Sequence, residues 1–240
     1  MKALPHAGMK HGETVCCAGI TKHGEWRRQF PIHFRRLQQK FFRWDIIEYE
    51  FRAPKDDKRS ESRRVQEDTI RVVGSVSTKE RSSLLAPVIV SSTGAAAAKG
   101  QTLALIRPCN VAFAAKKKNA KEIENERAAY QEAAKQGSFF DAALAALEPC
   151  PYAFKFGYQD SDGGSHVSTC DDWETAAMFR RFSEQYGELK TLDLMKKTFE
   201  KEYPQKGMVF AMGTHSRYPD VWLLVGVLRV DETTQLPMAL

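Results

Sequence analysis

The stretch Val221–Val230, VWLLVGVLRV, is apolar at odd and even positions alike, with only Gly226 and Arg229 interrupting it. A strand with one wet face alternates, so a run without alternation is covered on both sides. The segment reads as a central strand, preceded by a second strand, GMVFAMG (Gly207–Gly213). Upstream, LKTLDLMKKTFEKEY (Leu189–Tyr203) places Leu192, Met195, Phe199 and Tyr203 in one helical stripe. DDWETAAMFRRFSEQYG (Asp171–Gly187) is an amphipathic helix, started by acids that suit the positive end of the helix dipole and stopped by a glycine. Core packing accounts for both stripes. In YAFKFGY the rings of Tyr152, Phe154, Phe156 and Tyr158 share one face. DSDGG then supplies a turn and SHVSTC the return strand of a hairpin.

The first hundred residues are rich in strand patterns. VCCAGI (Val15–Ile20) is a short strand whose alternation sends Cys16 and Cys17 to opposite faces. In WRRQFPIHF the even positions Trp26, Phe30, Ile32 and Phe34 are apolar, with Arg28 the exception. That period of two predicts an inward aromatic face and an outward basic one. Pro31, which cannot donate to a ladder, predicts an edge or a bulge. From Leu37 the spacing turns helical through Phe41 and Trp44, and IIEYEF (Ile46–Phe51) alternates again. Residues 52–68 carry almost nothing apolar and are expected to be an exposed loop, after which TIRVV resumes a strand. Ser77 and Glu80 form a capping-box pattern before a short helix that ends ahead of Pro87. SSTGAAAAKGQT fails as a phosphate-binding loop, because Lys99 precedes Gly100. TLALIRPCNVAF is extended with a bend at Pro108. KKKNAKEIENERAAYQEAAKQG is a helix capped by Asn119 and stopped by Gly137. Ser138 caps another helix, which Pro149 and Pro151 end.

The expected fold is therefore α+β: a β-rich basic part over 10–110, a helical bridge over 111–148 and a mixed α/β part over 150–232. The pattern leaves open whether these are separate domains or one continuous unit. With 42% apolar and 28% charged residues in 240, the chain is globular in composition. It has no apolar run near the ~20 residues that cross a bilayer and no secretory h-region at its start, so a cytoplasmic protein without membrane contact is expected. Five cysteines, an odd number without C-x-x-C spacing, read as free thiols.

Charge supplies the functional signal. Between Lys22 and Arg64 thirteen Lys/Arg face seven Asp/Glu, a surplus of six that equals the net charge of the whole chain. A localised surplus predicts an anionic partner at one surface. GEWRRQFPIHFRRLQQKFFRW (Gly24–Trp44) concentrates six cations and six aromatic rings around one acid. Nucleic acid, DNA or RNA, matches that mixture, since cations meet phosphates and rings meet bases. The candidate contacts are Arg27, Arg28, His33, Arg35, Arg36, Lys40 and Arg43, extended by Arg59, Arg63 and Arg64. Contacts to about four or five phosphates would give a log–log salt slope near −4. A solvated basic face and an acidic protein partner, the latter making the chain a structural subunit in a complex, are the competing readings.

An enzyme acting on nucleic acid or nucleotides is the alternative. His166, Cys170 and Asp172, with Asp171 beside them and His215 on a later loop, offer metal-ligand chemistry at no established zinc spacing. Asp45 with Glu48 or Glu50 resembles part of a metal-dependent nuclease site, although both acids lie on one strand and Arg52 stands where a lysine is needed. The chain holds no G-x-S-x-G, H-E-x-x-H or dinucleotide fingerprint, so no catalytic residue and no cofactor is assigned.

Several phrases taken together, ETVCCAGI, EWRRQFPIHFR, RSESRRV, LEPCPYAFKF, TCDDWETA and FAMGTHSRYPDVWLLVGV, resemble a family of uncharacterised bacterial proteins over nearly the whole chain. The resemblance implies the company of mobile elements and defence genes, an association that carries no mechanism; a sensor or adaptor in phage defence is the role expected of the nucleic-acid-binding reading. The resemblance brings no established activity and no functional residues, and it implies that the two ends of the chain belong to one unit.

Overall fold

The computed structural model describes residues 1–4, 6–8, 12–33, 41–136, 147–215 and 218–232. Along the chain, β1 (His6–Gly8), β2 (Gly12–Ile20) and β3 (Trp26–His33) are followed by β4 (Asp45–Glu48), β5 (Phe51–Arg52), β6 (Ser62–Val65) and β7 (Arg71–Ser75). Next come α1 (Arg81–Leu85), β8 (Ile89–Val90), α2 (Thr93–Ala98), β9 (Leu103–Ile106), β10 (Cys109–Lys117) and α3 (Ala120–Gln136). The hairpin β11 (Tyr152–Gln159) and β12 (Ser165–Thr169), helices α4 (Trp173–Tyr186) and α5 (Glu188–Lys197), and strands β13 (Met208–Thr214) and β14 (Trp222–Arg229) complete it. The fold is α+β.

β14, β13, β9 and β8 form one sheet in that order, antiparallel except for the parallel pair β8–β9. Every residue of β13 is buried, and its two faces enter different cores. Phe210 and Met212 pack with Phe156, Phe179, Met195 and Phe199. Val209 and Ala211 pack with Leu85, Leu105 and Leu228, against which Ile20, Trp26 and Trp44 lean. β14 divides in the same way, with Leu224 and Val227 on the first side and Val225 and Leu228 on the second, where Val230 just past its end joins them. The missing alternation in VWLLVGVLRV thus reports a sheet covered twice.

The first core is closed by β10–β11–β12 and by α4 and α5. The burial of β11 alternates as its rings predict, with Tyr152, Phe154, Phe156 and Tyr158 all inside. Phe156 meets Phe199 at 5.2 Å and Phe210 at 5.4 Å between ring centroids, both edge-on, as ring quadrupoles favour. Met195 and Phe199 are fully buried, and Thr198–Glu202 forms a wider π turn that continues α5. Gly187, at φ 77°, separates α4 from α5 in a conformation that a side chain would strain. Asn119 and Glu122 cap α3 reciprocally, at 2.7 and 2.9 Å. That helix starts only after β10 has run on to Lys117. Ahead of the cap, Lys116 and Lys117 lie at the end of an edge strand, paired with Ala153 and Tyr152.

The second core is shared with the sheet β1–β2–β3–β6–β5, in which β3 and β6 run parallel. Two expectations are corrected here. Segment 52–68 is not all loop, because Ser62–Val65 forms β6 with Ser62 and Val65 buried. One of its faces lines an open cleft, where its arginines can stay in contact with water. The even positions of β3 also do not form one inward aromatic face: Arg28 is buried (8% exposed) and Phe30 is exposed (41%). Val15 pairs with Ile32 and Cys17 with Gln29, so Phe30 and Pro31 together oppose the single residue Cys16. This is a bulge, as Pro31 predicts, and it reverses parity along the strand. Ile32 therefore joins Val15, Cys17 and Trp173 in a third core, while Arg28 and Phe30 turn the other way. The helix expected from Leu37 and the one expected after Ser138 lie mostly outside the described residues.

Candidate functional site

The side of the first sheet that carries Trp26 and Ile20 packs against the central sheet at one end and stands away from it at the other. The gap is a cleft of about 600 Å³. Arg28, Phe30, Ser62 and Arg64 form one wall, the loop Pro54–Arg59 a second, and Gly213, Thr214, Leu223 and Val225 the third. The register explains the first wall: Arg28 pairs with Ser62 and Phe30 with Arg64 across the β3–β6 ladder. Partners in a ladder share a face, and neighbouring strands lie about 4.8 Å apart. Phe30 and Arg64 thus stand as neighbours on one face of the sheet.

Arg28 lies at the bottom. Its Nη2 donates to the Thr102 carbonyl and hydroxyl oxygens at 3.1 and 3.2 Å, and its Nε lies 3.7 Å from Glu61 Oε1. Thr102 Oγ1 in turn donates to the Glu61 carboxylate. The charge of Arg28 is therefore largely answered from within. Arg59 grips both oxygens of Asp57, at 2.6 and 2.8 Å, and Ser62 Oγ donates to the same carboxylate at 2.7 Å. Burial pushes the Asp57 carboxyl up, but the hydrogen bonds from Arg59 and Ser62 outweigh it and hold the group at about 2 rather than the ordinary 3.8. A carboxyl lowered on folding contributes stability above its unfolded value and loses it as pH falls through the folded one. The clamp that ties the loop to β6 should therefore persist through pH 4 and 3 and open near 2. Amide exchange of Ser62, whose N–H donates to the Arg59 carbonyl at 3.0 Å, reads this directly. Loss of its protection already at pH 4 contradicts the assignment.

Three cations at the cleft have no such answer. Lys55, Lys58 and Arg64 are exposed and make no ion pair among the described residues. Sequence alone does not single out Lys55 and Lys58, which stand beside acids at 56 and 57; in the fold Asp57 is held by Arg59.

The other candidates are dispersed. Arg27 pairs with Glu25 at 2.6 Å. His33 Nδ1 lies 2.7 Å from Glu67 Oε2. Arg63 donates to the carbonyls of Ser60 and Ser62 and lies 5.0 Å from the centre of the Phe51 ring, at the cleft's edge. Arg43 is half-buried, with Nη2 2.9 Å from Asp172 Oδ1 and Nη1 2.7 Å from the Val227 carbonyl. Arg35, Arg36 and Lys40 lie outside the described residues.

The proposed metal ligands have separate partners. His166 Nε2 lies 2.6 Å from Asp160 Oδ2, closing the β11–β12 turn, where Asp160 also accepts from the amide of Gly164 at 2.8 Å. Cys170 is buried and its thiol is pushed up by that burial. Asp172 caps α4, and the His215 ring stacks on Tyr218 at 5.2 Å. Asp45 accepts from the amide of Phe42, and Glu48 pairs with Arg71. Among the described residues no three His, Cys, Asp or Glu side chains converge as a metal site would need. No helix of the described residues is long and apolar enough to cross a membrane.

Two family models divide the chain at the first residue of β8. Residues 1–89 match Domain of unknown function (DUF8758), and residues 89–238 match Domain of unknown function (DUF8757). The chain belongs to the DUF8757 family. The DUF8757 match takes in all four strands of the central sheet, β8, β9, β13 and β14, together with the first core. The DUF8758 match takes in β3, β6 and the loop Pro54–Arg59, so the cleft draws its walls from both. No curated protein and no solved structure matches the chain.

Proposed function

We propose that the protein binds nucleic acid in the cleft between its first and central sheets, as a binding module without catalysis of its own. The observation that carries this is the position of Lys55, Lys58 and Arg64, three exposed cations without ion-pair partners among the described residues, around a cavity of about 600 Å³. Arg28 and Arg59 act as internal struts: their hydrogen bonds to Thr102 and Asp57 hold the walls that carry the free cations. A cleft of this size suits a partner that inserts a part of itself, and cations at its rim suit phosphates. A sensor or adaptor in phage defence is the role expected of such a module.

The structure-based count of contacts revises the expected salt dependence. Three phosphate contacts on a single strand give a log–log slope of about −2, in place of the −4 expected from sequence. Fluorescence anisotropy with labelled DNA and RNA oligonucleotides, titrated from low to high salt, measures it. Binding that is independent of salt, or equal binding of polyglutamate, would favour an acidic protein partner instead.

A further inference from the structure

From the arrangement of one cleft wall we infer that the site takes a single unstacked nucleotide of a single strand, its base against Phe30 and its phosphate on Arg64. This rests on the nucleic-acid reading above and narrows it. Phe30 is 41% exposed on a strand whose neighbours at 29 and 32 are buried, and it follows Arg28 on the face of β3 that lines the cleft. Its ladder partner is Arg64, so a flat apolar surface and an unpaired cation sit one strand apart. Leu223 and Val225 face them from the central sheet and supply apolar cover for the other side of an inserted base. Lys55 and Lys58 stand on the adjoining loop, where the next phosphates of an extended strand would pass.

Bases in a duplex are stacked on one another and cannot present a face to a protein ring, whereas single strands splay their bases onto aromatic side chains. A cavity of about 600 Å³ falls within the range that holds small molecules of about a nucleotide's size. The same geometry gives a direct reporter. Cys16 sits opposite the bulge, is half-buried and lines the cleft, whereas Cys109 is exposed on β10 at a distance in the fold and Cys17, Cys150 and Cys170 are buried.

The test is alkylation of the full chain by iodoacetamide, read residue by residue by mass spectrometry. It is run alone and with a single-stranded oligonucleotide, its duplex and a single strand of abasic sites. The inference expects the base-bearing single strand to slow labelling of Cys16 with Cys109 unchanged. Duplex and abasic strand should leave Cys16 as reactive as in the free protein. Phe30→Ala should weaken single-strand binding roughly tenfold without changing its salt slope. Phe30→Leu, which keeps apolar bulk at the bulge, should weaken it too, so that misfolding of the first variant cannot imitate the result. Equal protection by duplex or abasic strand, or unchanged binding by both Phe30 variants, overturns the single-nucleotide site. Salt-dependent binding with a slope near −2 but without Cys16 protection overturns it while leaving the broader nucleic-acid reading standing. The absence of any binding overturns both.

Discussion

Asp172→Ala should lower the stability of the folded chain by about 3–5 kcal/mol, the cost of leaving a buried cation without its partner. The Asp172 side chain is 1% exposed and that of Arg43 19%, so water cannot replace the lost carboxylate. The carboxylate also accepts from Thr175 Oγ1 at 3.1 Å, from the Val227 amide at 3.2 Å and from the Glu174 amide at 3.4 Å. One residue thereby caps α4, satisfies a backbone donor of β14 and holds Arg43, which itself donates to the Val227 carbonyl. Burial works against the charge of Arg43, but the nearby carboxylates of Asp172 and Glu174 more than offset it and raise its pKa; when Asp172 is removed the guanidinium keeps its charge through its own high basicity. Urea unfolding measured by circular dichroism reads the loss. Adding Arg43→Met to Asp172→Ala should recover part of it, because the uncompensated charge goes with the arginine. A loss below about 1 kcal/mol in the single variant would show that the pair is exposed to solvent and does not join the halves of the chain.

Neutralising the three free cations of the cleft, with Lys55→Gln, Lys58→Gln and Arg64→Gln in one chain, should weaken single-strand binding about 100-fold at 0.1 M salt. The figure follows from three contacts, each contributing a slope of about −0.7 between 1 M and 0.1 M. The same variant should lose most of its salt dependence. Its stability should hold, since exposed residues without partners contribute little to the fold. A second variant carrying Lys121→Gln, Lys196→Gln and Lys201→Gln removes the same charge from exposed helical positions away from the cleft. It should bind almost as the parent does. Equal weakening of the two would mean that overall charge attracts the ligand and that the cleft has no special part.

Much of the architecture is readable from local pattern. VWLLVGVLRV announces a doubly covered strand, the rings of Tyr152–Tyr158 announce the buried face of β11, and Asn119 with Glu122 announces the start of α3. These signals are local because backbone periodicity and capping are local. The site is different in kind. Arg43 looks like one more cation in a basic stretch, and its burial depends on an aspartate 129 positions away. Arg28 looks like an interruption of an apolar face until the bulge opposite Cys16 sends Ile32 to the other side and leaves Arg28 and Phe30 toward the cleft. Arg59 and Lys58 are neighbours in sequence with opposite fates, one bound to Asp57 and the other free. Composition counts the cations correctly, but only the folded chain shows which are consumed internally. The cleft itself joins β3 and β6 to the ends of β13 and β14, far apart in the chain, and no periodicity in either segment encodes that meeting.

The central claim, that nucleic acid occupies this cleft, is tested most directly by ultraviolet cross-linking of a photoreactive single strand to the full chain, with the attached peptides identified by mass spectrometry. The account predicts cross-links concentrated in two segments, residues 26–31 around Phe30 and residues 54–64 around Lys55, Lys58 and Arg64, and their disappearance at high salt. Cross-links concentrated on α3 or α5, with none in those two segments, would contradict it.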